Sequence, residues 1–176
     1  MITHAIGVSM AAGWLKKKYP IVITELNHGG SEQADALAFN SGESCMVEVK
    51  ISRSDFLADA KKWFRLYSDK GVGTYRYYLC PEGLIQTTDL PLNYGLLWVV
   101  GQRIRVMRKA EALFKESRTE ISILVSLIRR IGQSCPKGVN IKCYTHGDAG
   151  GNPSKETATV SIEGEVCPIN LNKIPG

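Results

Sequence analysis

Two short runs in which apolar and polar positions alternate flank a small polar turn, and together they predict a β-hairpin. The first run is residues 34–39, Ala34-Asp35-Ala36-Leu37-Ala38-Phe39; the second is 46–51, Met46-Val47-Glu48-Val49-Lys50-Ile51. Between them Asn40-Ser41-Gly42-Glu43 has the composition of a hairpin turn. A turn centred between Ser41 and Gly42 sets Asn40 opposite Glu43, and the same antiparallel register carries Asp35 opposite Glu48. Lys50 lies two positions beyond Glu48 and shares its face, while Val47, Val49 and Ile51 turn the other way to be buried.

The rest of the pattern supplies an α/β frame. Ile6, Met10, Ala11, Trp14 and Leu15 recur at helical spacing over residues 5–18, with Lys16, Lys17 and Lys18 complementing the helix C-terminus and Pro20 stopping it. Residues 21–26 read as a strand ending near Glu25, and residues 27–31 as a loop. Ser52-Arg53-Ser54-Asp55 opens a helix over 55–68, with Phe56, Ala60, Trp63, Phe64 and Tyr67 as its apolar stripe and Lys61, Lys62 and Arg65 as a basic flank. A tyrosine-rich strand follows over 74–80, then a hairpin of 96–100 with 103–107 around Gly101-Gln102. Strand, helix, strand in this order implies a crossover and a mixed sheet flanked by helices.

Beyond residue 108, Ser117-Arg118-Thr119-Glu120 has the spacing of a capping box ahead of an apolar helix that Gly132 closes. That helix needs cover, either from the sheet or from a second copy docking on residues 117–131 as a homodimer. Two strands, 139–145 and 157–166, form a hairpin extension around the Gly-rich loop 147–154. The expected division is 1–108 for the main domain and 109–176 for the C-terminal helix and hairpin.

Composition narrows the class. At 176 residues, 44% hydrophobic and 22% charged, the chain holds one good core with an appendage rather than two full domains. A net charge of +5 permits a polyanionic partner without requiring one. Cys45, Cys80, Cys135, Cys143 and Cys167 form no disulfide framework, and no signal-peptide pattern precedes the first helix, so a cytoplasmic setting is expected. Cys135, Cys143, His146 and Cys167 lack the paired spacing of common zinc sites. No apolar run approaches the ~20 residues of a membrane span.

Two carboxylates and an ammonium on one strand face suit divalent-metal phosphodiester chemistry. Asp35, Glu48 and the Val49 carbonyl are hard oxygen donors for Mg²⁺ or Mn²⁺, and Lys50 can orient water or offset charge on the phosphate. Glu25 is a third acid if its strand turns it inward. Ser52, Arg53, Lys61, Lys62 and Arg65, one connection away, are candidates for nucleic-acid backbone contacts.

The helix, the strand ending at Glu25, the strand opening on Asp35, and Val47-Glu48-Val49-Lys50 followed by a helix resemble the PD-(D/E)XK nuclease superfamily. Within it, residues 47–59, Pro81-Glu82-Gly83, and Leu90-Pro91 with Tyr94-Gly95-Leu96-Leu97 resemble the MmcB-type DNA repair proteins, a likeness that covers about the first 108 residues. The resemblance implies a restriction-endonuclease-like core, a divalent metal and DNA as substrate. It implies Asp35 and Glu48 as metal ligands, Lys50 as the catalytic lysine and Glu25 as an accessory acid. The rival reading is a nucleic-acid-binding module of the same fold that does not hydrolyse.

Overall fold

The computed structural model describes residues 2–25, 33–62, 65, 67 and 71–133, together with the short pair Lys142–Cys143 and Ala158–Thr159. The chain divides into two compact units, Met1–Ile123 and Leu124–Gly176. The first contains six strands, β1 (Ile21–Thr24), β2 (Ala36–Phe39), β3 (Ser44–Val49), β4 (Tyr75–Pro81), β5 (Gly95–Val100) and β6 (Arg103–Arg108), and helices α1 (His4–Leu15) and α2 (Arg53–Ala60). All six strands join one sheet in sequence order, with β3, β4 and β5 parallel and the outer pairings antiparallel. The parallel β3 and β4 flank α2, as the crossover reading expected.

The hairpin takes the register read from its turn. Ala36 faces Val47 and Phe39 faces Ser44. Asn40 closes the loop by donating its N–H to Glu43 O at 3.1 Å, while its side-chain oxygen accepts from the Gly42 and Glu43 amides.

One sheet face packs under α1. Ala36, Ala38, Cys45, Val47, Val49, Leu79 and Leu97 meet Val8, Ala11 and Leu15 there, all within the main core. Each fully buried Val or Leu adds roughly 1.5–3 kcal/mol by leaving water. Gly7 lets the helix come close, because a Cβ at that position would stand 2.5 Å from Val49 Cγ1. The strand interval of two therefore turns Met46 and Glu48 to the opposite face, with Arg76 and Tyr78 of β4. Tyr78 is fully buried there, edge-on to Phe56 of α2 and stacked on Tyr94.

Several boundaries differ from the sequence reading. α2 starts at Arg53 with Ser52 as its cap, the hydroxyl accepting from Asp55 N at 3.2 Å, and it ends at Ala60 rather than reaching residue 68. The first unit runs on to Ile123 instead of stopping at 108. Leu113 N donates to Thr74 O and Glu116 N to Gly71 O, and Glu120 accepts from Ser44 Oγ at 2.6 Å and from Gly73 N at 2.9 Å. Glu120 is thus a buried clamp, and the expected capping box is not formed; Glu116 accepts from Arg118 N instead. The last long helix, α3, spans Ser117–Gln133 and passes through Gly132. In the second unit Lys142–Cys143 pairs antiparallel with Ala158–Thr159. Cys135, His146, Cys167 and the loop 147–154 lie outside the described residues, as does the rest of the two expected strands. Among the described residues no helix is long and apolar enough to cross a membrane.

Candidate active site

Asp35 stands just before β2, and the hairpin register carried one residue outward sets it opposite Glu48, as expected. Its Oδ2 accepts the Val49 amide hydrogen at 2.7 Å, and its Oδ1 lies 3.2 Å from His4 Nε2 at the start of α1. The Asp35 carboxylate is therefore aimed at the peptide between Glu48 and Val49.

Glu48 and Lys50 are both buried, with Lys50 Nζ 3.3 Å from Glu48 Oε2. Lys50 also approaches Asp59 Oδ1 at 3.5 Å and Asp55 Oδ1 at 3.9 Å. Burial pulls its pKa down, but the surrounding carboxylates of Glu48, Asp59, Asp55 and Asp35 outweigh burial and raise it, so the ammonium keeps its proton. Glu48 shows the opposite balance. Burial pushes its carboxyl up to about 7; Arg65 and Lys50 pull against this, while Asp35 and Asp59 add to it.

Asp59 and Arg65 complete the cluster; the sequence reading assigns Asp59 no place in the site and assigns Arg65 only a nucleic-acid backbone contact. Asp59 is buried on the inner face of α2 and accepts at Oδ2 from Tyr78 OH at 2.8 Å and from Arg65 Nε at 2.9 Å. Burial alone would raise its carboxyl, but Arg65, Lys62 and Lys50 hold it well below the usual carboxylate range. Arg65 Nη2 also stands 3.0 Å from Glu48 Oε1. Phe56 and Asp59, three apart on a short helix, share its buried face, which is the spacing that could have revealed Asp59.

The expected basic flank is largely engaged within the protein. Arg65 is a correction: its side chain is 1% exposed and it binds Asp59 and Glu48 rather than facing a polyanion. Arg53 forks onto both oxygens of Asp89, Lys62 pairs with Asp59 at 2.8 Å, and Ser52 caps α2. Lys61 is exposed. Glu25 is a second correction. It is exposed, with φ of +50°, and its backbone N–H donates to Asp35 O at 3.1 Å. Glu25 thus ends the described part of this segment in a left-handed conformation with its side chain exposed rather than buried with Glu48 and Lys50.

The donor chemistry fits a hard divalent cation. Among the described residues no group of three or more His, Cys, Asp and Glu is arranged to hold a metal; the oxygen donors that the hairpin brings together are Asp35, Glu48 and the Val49 carbonyl. Mg²⁺ is commonly held by one or two carboxylates, with water and phosphate oxygens filling the other positions. Glu48 Oε1 is buried and accepts no hydrogen bond from a described residue, though Arg65 Nη2 stands 3.0 Å from it.

No protein-family model and no curated protein matches the chain. A solved structure of a protein of unknown function from Silicibacter pomeroyi is similar, with a TM-score of 0.53 and 22% identity, covering 72% of this chain and 85% of that one. The likeness is one of fold: a mixed six-stranded sheet flanked by helices.

Proposed function

We propose that this protein is a Mg²⁺- or Mn²⁺-dependent DNA phosphodiesterase with a restriction-endonuclease-like core, in keeping with the PD-(D/E)XK resemblance of its hairpin. One observation carries the reading: Asp35 lies across from Glu48 in register, and the buried Lys50 ammonium stands 3.3 Å from Glu48. Asp35, Glu48 and the Val49 carbonyl would hold the cation, which when bound makes water a better nucleophile and offsets phosphate charge. Asp35 is pre-oriented by the Val49 amide and His4. Lys50, kept protonated by its neighbours, contributes a fixed positive charge where negative charge grows on the phosphate oxygens. The net charge of +5 suits a polyanion, and pairing of two copies through residues 117–131 belongs to the same proposal, supported by the exposure of Ile121, Val125 and Ile128.

A second reading, a DNA-binding module without hydrolysis, is favoured by Arg65, whose guanidinium already balances Glu48. Purified protein incubated with nicked, forked and single-stranded DNA in Mg²⁺ or Mn²⁺ separates the two. Products that Asp35→Ala and Lys50→Ala each abolish support hydrolysis. Salt-sensitive binding that survives both substitutions, with no cleavage by the parent in either metal, supports the second reading.

A further inference from the structure

Arg65 reaches both acids at the heart of the site but holds them differently. Its Nε donates a well-formed hydrogen bond to Asp59 Oδ2 at 2.9 Å, and its Nη1 approaches Met46 Sδ at 3.8 Å. Toward Glu48 it stands at ion-pair distance, 3.0 Å from Oε1, yet that oxygen accepts no hydrogen bond from a described residue. The guanidinium is thus anchored on Asp59 and leans on Glu48. Tyr78 OH and Lys62 fix Asp59 in turn, so the anchor is itself held.

An arginine does not give up its proton inside a protein, so this positive charge is permanent. A dication bound to Glu48 would share a buried, weakly screening space with it, where like charges repel strongly. We propose that Arg65 guards the metal position: its guanidinium neutralises Glu48 in the metal-free protein, and a divalent cation binds by taking Glu48 away from it. The inference rests on the reading of Asp35 and Glu48 as metal ligands. Asp59 makes the exchange feasible, because the guanidinium keeps a buried carboxylate partner when Glu48 turns to the metal. Arg65 acts here through Glu48 and Asp59, as a positioning residue whose contact lowers the affinity of the site for its cation.

The test needs neither DNA nor activity. Mn²⁺ alone is titrated into the full chain, and the electron paramagnetic resonance signal of free Mn²⁺ is followed for the parent, for Arg65→Met, and for Arg65→Met combined with Asp59→Leu. The double variant replaces the buried pair with apolar side chains, which keeps the experiment decisive if removing Arg65 alone prevents folding. Mn²⁺ binding tighter by about tenfold or more in either folded variant, and lost again when Asp35→Ala is added, is the expected result. Affinity equal to or weaker than the parent's overturns the guard, as does tight binding that Asp35→Ala leaves unchanged. No Mn²⁺ binding by the parent or any variant overturns the metal reading itself, and the guard with it.

Discussion

Asp35 Oδ2 and the Val49 amide nitrogen are 2.7 Å apart, so the acid just before β2 is tied to the peptide between Glu48 and Val49. The bond gives Asp35 a structural duty beside its proposed chemical one, and substitution can separate them. In Asp35→Asn the amide oxygen still accepts from Val49, so stability should stay within about 0.5 kcal/mol of the parent while cleavage falls by about 100-fold or more. In Asp35→Ala the buried Val49 N–H is left without its acceptor, adding a stability loss of about 1–3 kcal/mol. Urea denaturation alongside a cleavage assay reads both; equal stability of the two variants would remove the structural duty.

Glu48 should make the protein less stable as pH rises through mild acidity. In the unfolded chain its carboxyl ionises near 4.5, whereas burial holds it to about 7 in the folded protein. Between those values the folded state carries more proton, so unfolding free energy falls with rising pH, by up to about 3 kcal/mol across the window. Asp59, whose pKa is lowered from 3.8, contributes stability that is lost only as pH falls below that value. Lys50, raised from 10.5, contributes stability that is lost only above it, so neither obscures the window. Denaturation midpoints from pH 4.5 to 7.5 for the parent and for Glu48→Gln check this: the parent should slope downward and the variant should be flatter. Parallel curves count against it.

Tyr78 is held between Phe56 and Tyr94 with its hydroxyl on Asp59. Because Arg65 Nε remains on the same oxygen, Tyr78→Phe should cost only about 1 kcal/mol, seen as a lower denaturant midpoint with unchanged slope. A loss several times larger would mean that the phenol organises Asp59 for the whole cluster.

Gly7 sets how closely α1 lies on the hairpin. A methyl group there collides with Val49, which is itself buried and has little room to yield. Gly7→Ala should therefore lose about 1–3 kcal/mol to overpacking, more than the gain of about 1 kcal/mol that alanine brings to a helix interior. A net increase in stability would show a looser helix than described.

The hairpin could be read from sequence because its turn and both strands agree on one register. Asn40 and Glu43 fix the loop, the apolar positions fix which face is buried, and Asp35 and Glu48 then have no choice but to face one another. The position of Glu25 was not legible, since a left-handed residue at the end of β1 leaves no mark in an alternation pattern. Asp59 and Arg65 were hidden for another reason. Reading residues 55–68 as one helix put Arg65 on a solvent flank, whereas α2 ends at Ala60 and Arg65 turns inward to two buried carboxylates. Charges look exposed in a sequence until their partners are known, and these partners come from β3 and α2.

β3 is laddered on both sides, to β2 in one direction and to β4 in the other. A strand so bracketed gives Glu48 and Lys50 little liberty to wander, and substitutions beside them disturb two neighbours together. Asp59 and Arg65 belong to the connection above the sheet, outside that lattice. Variation in that crossover can thus reset the charge balance around Glu48 and Lys50 while the framework beneath keeps its shape.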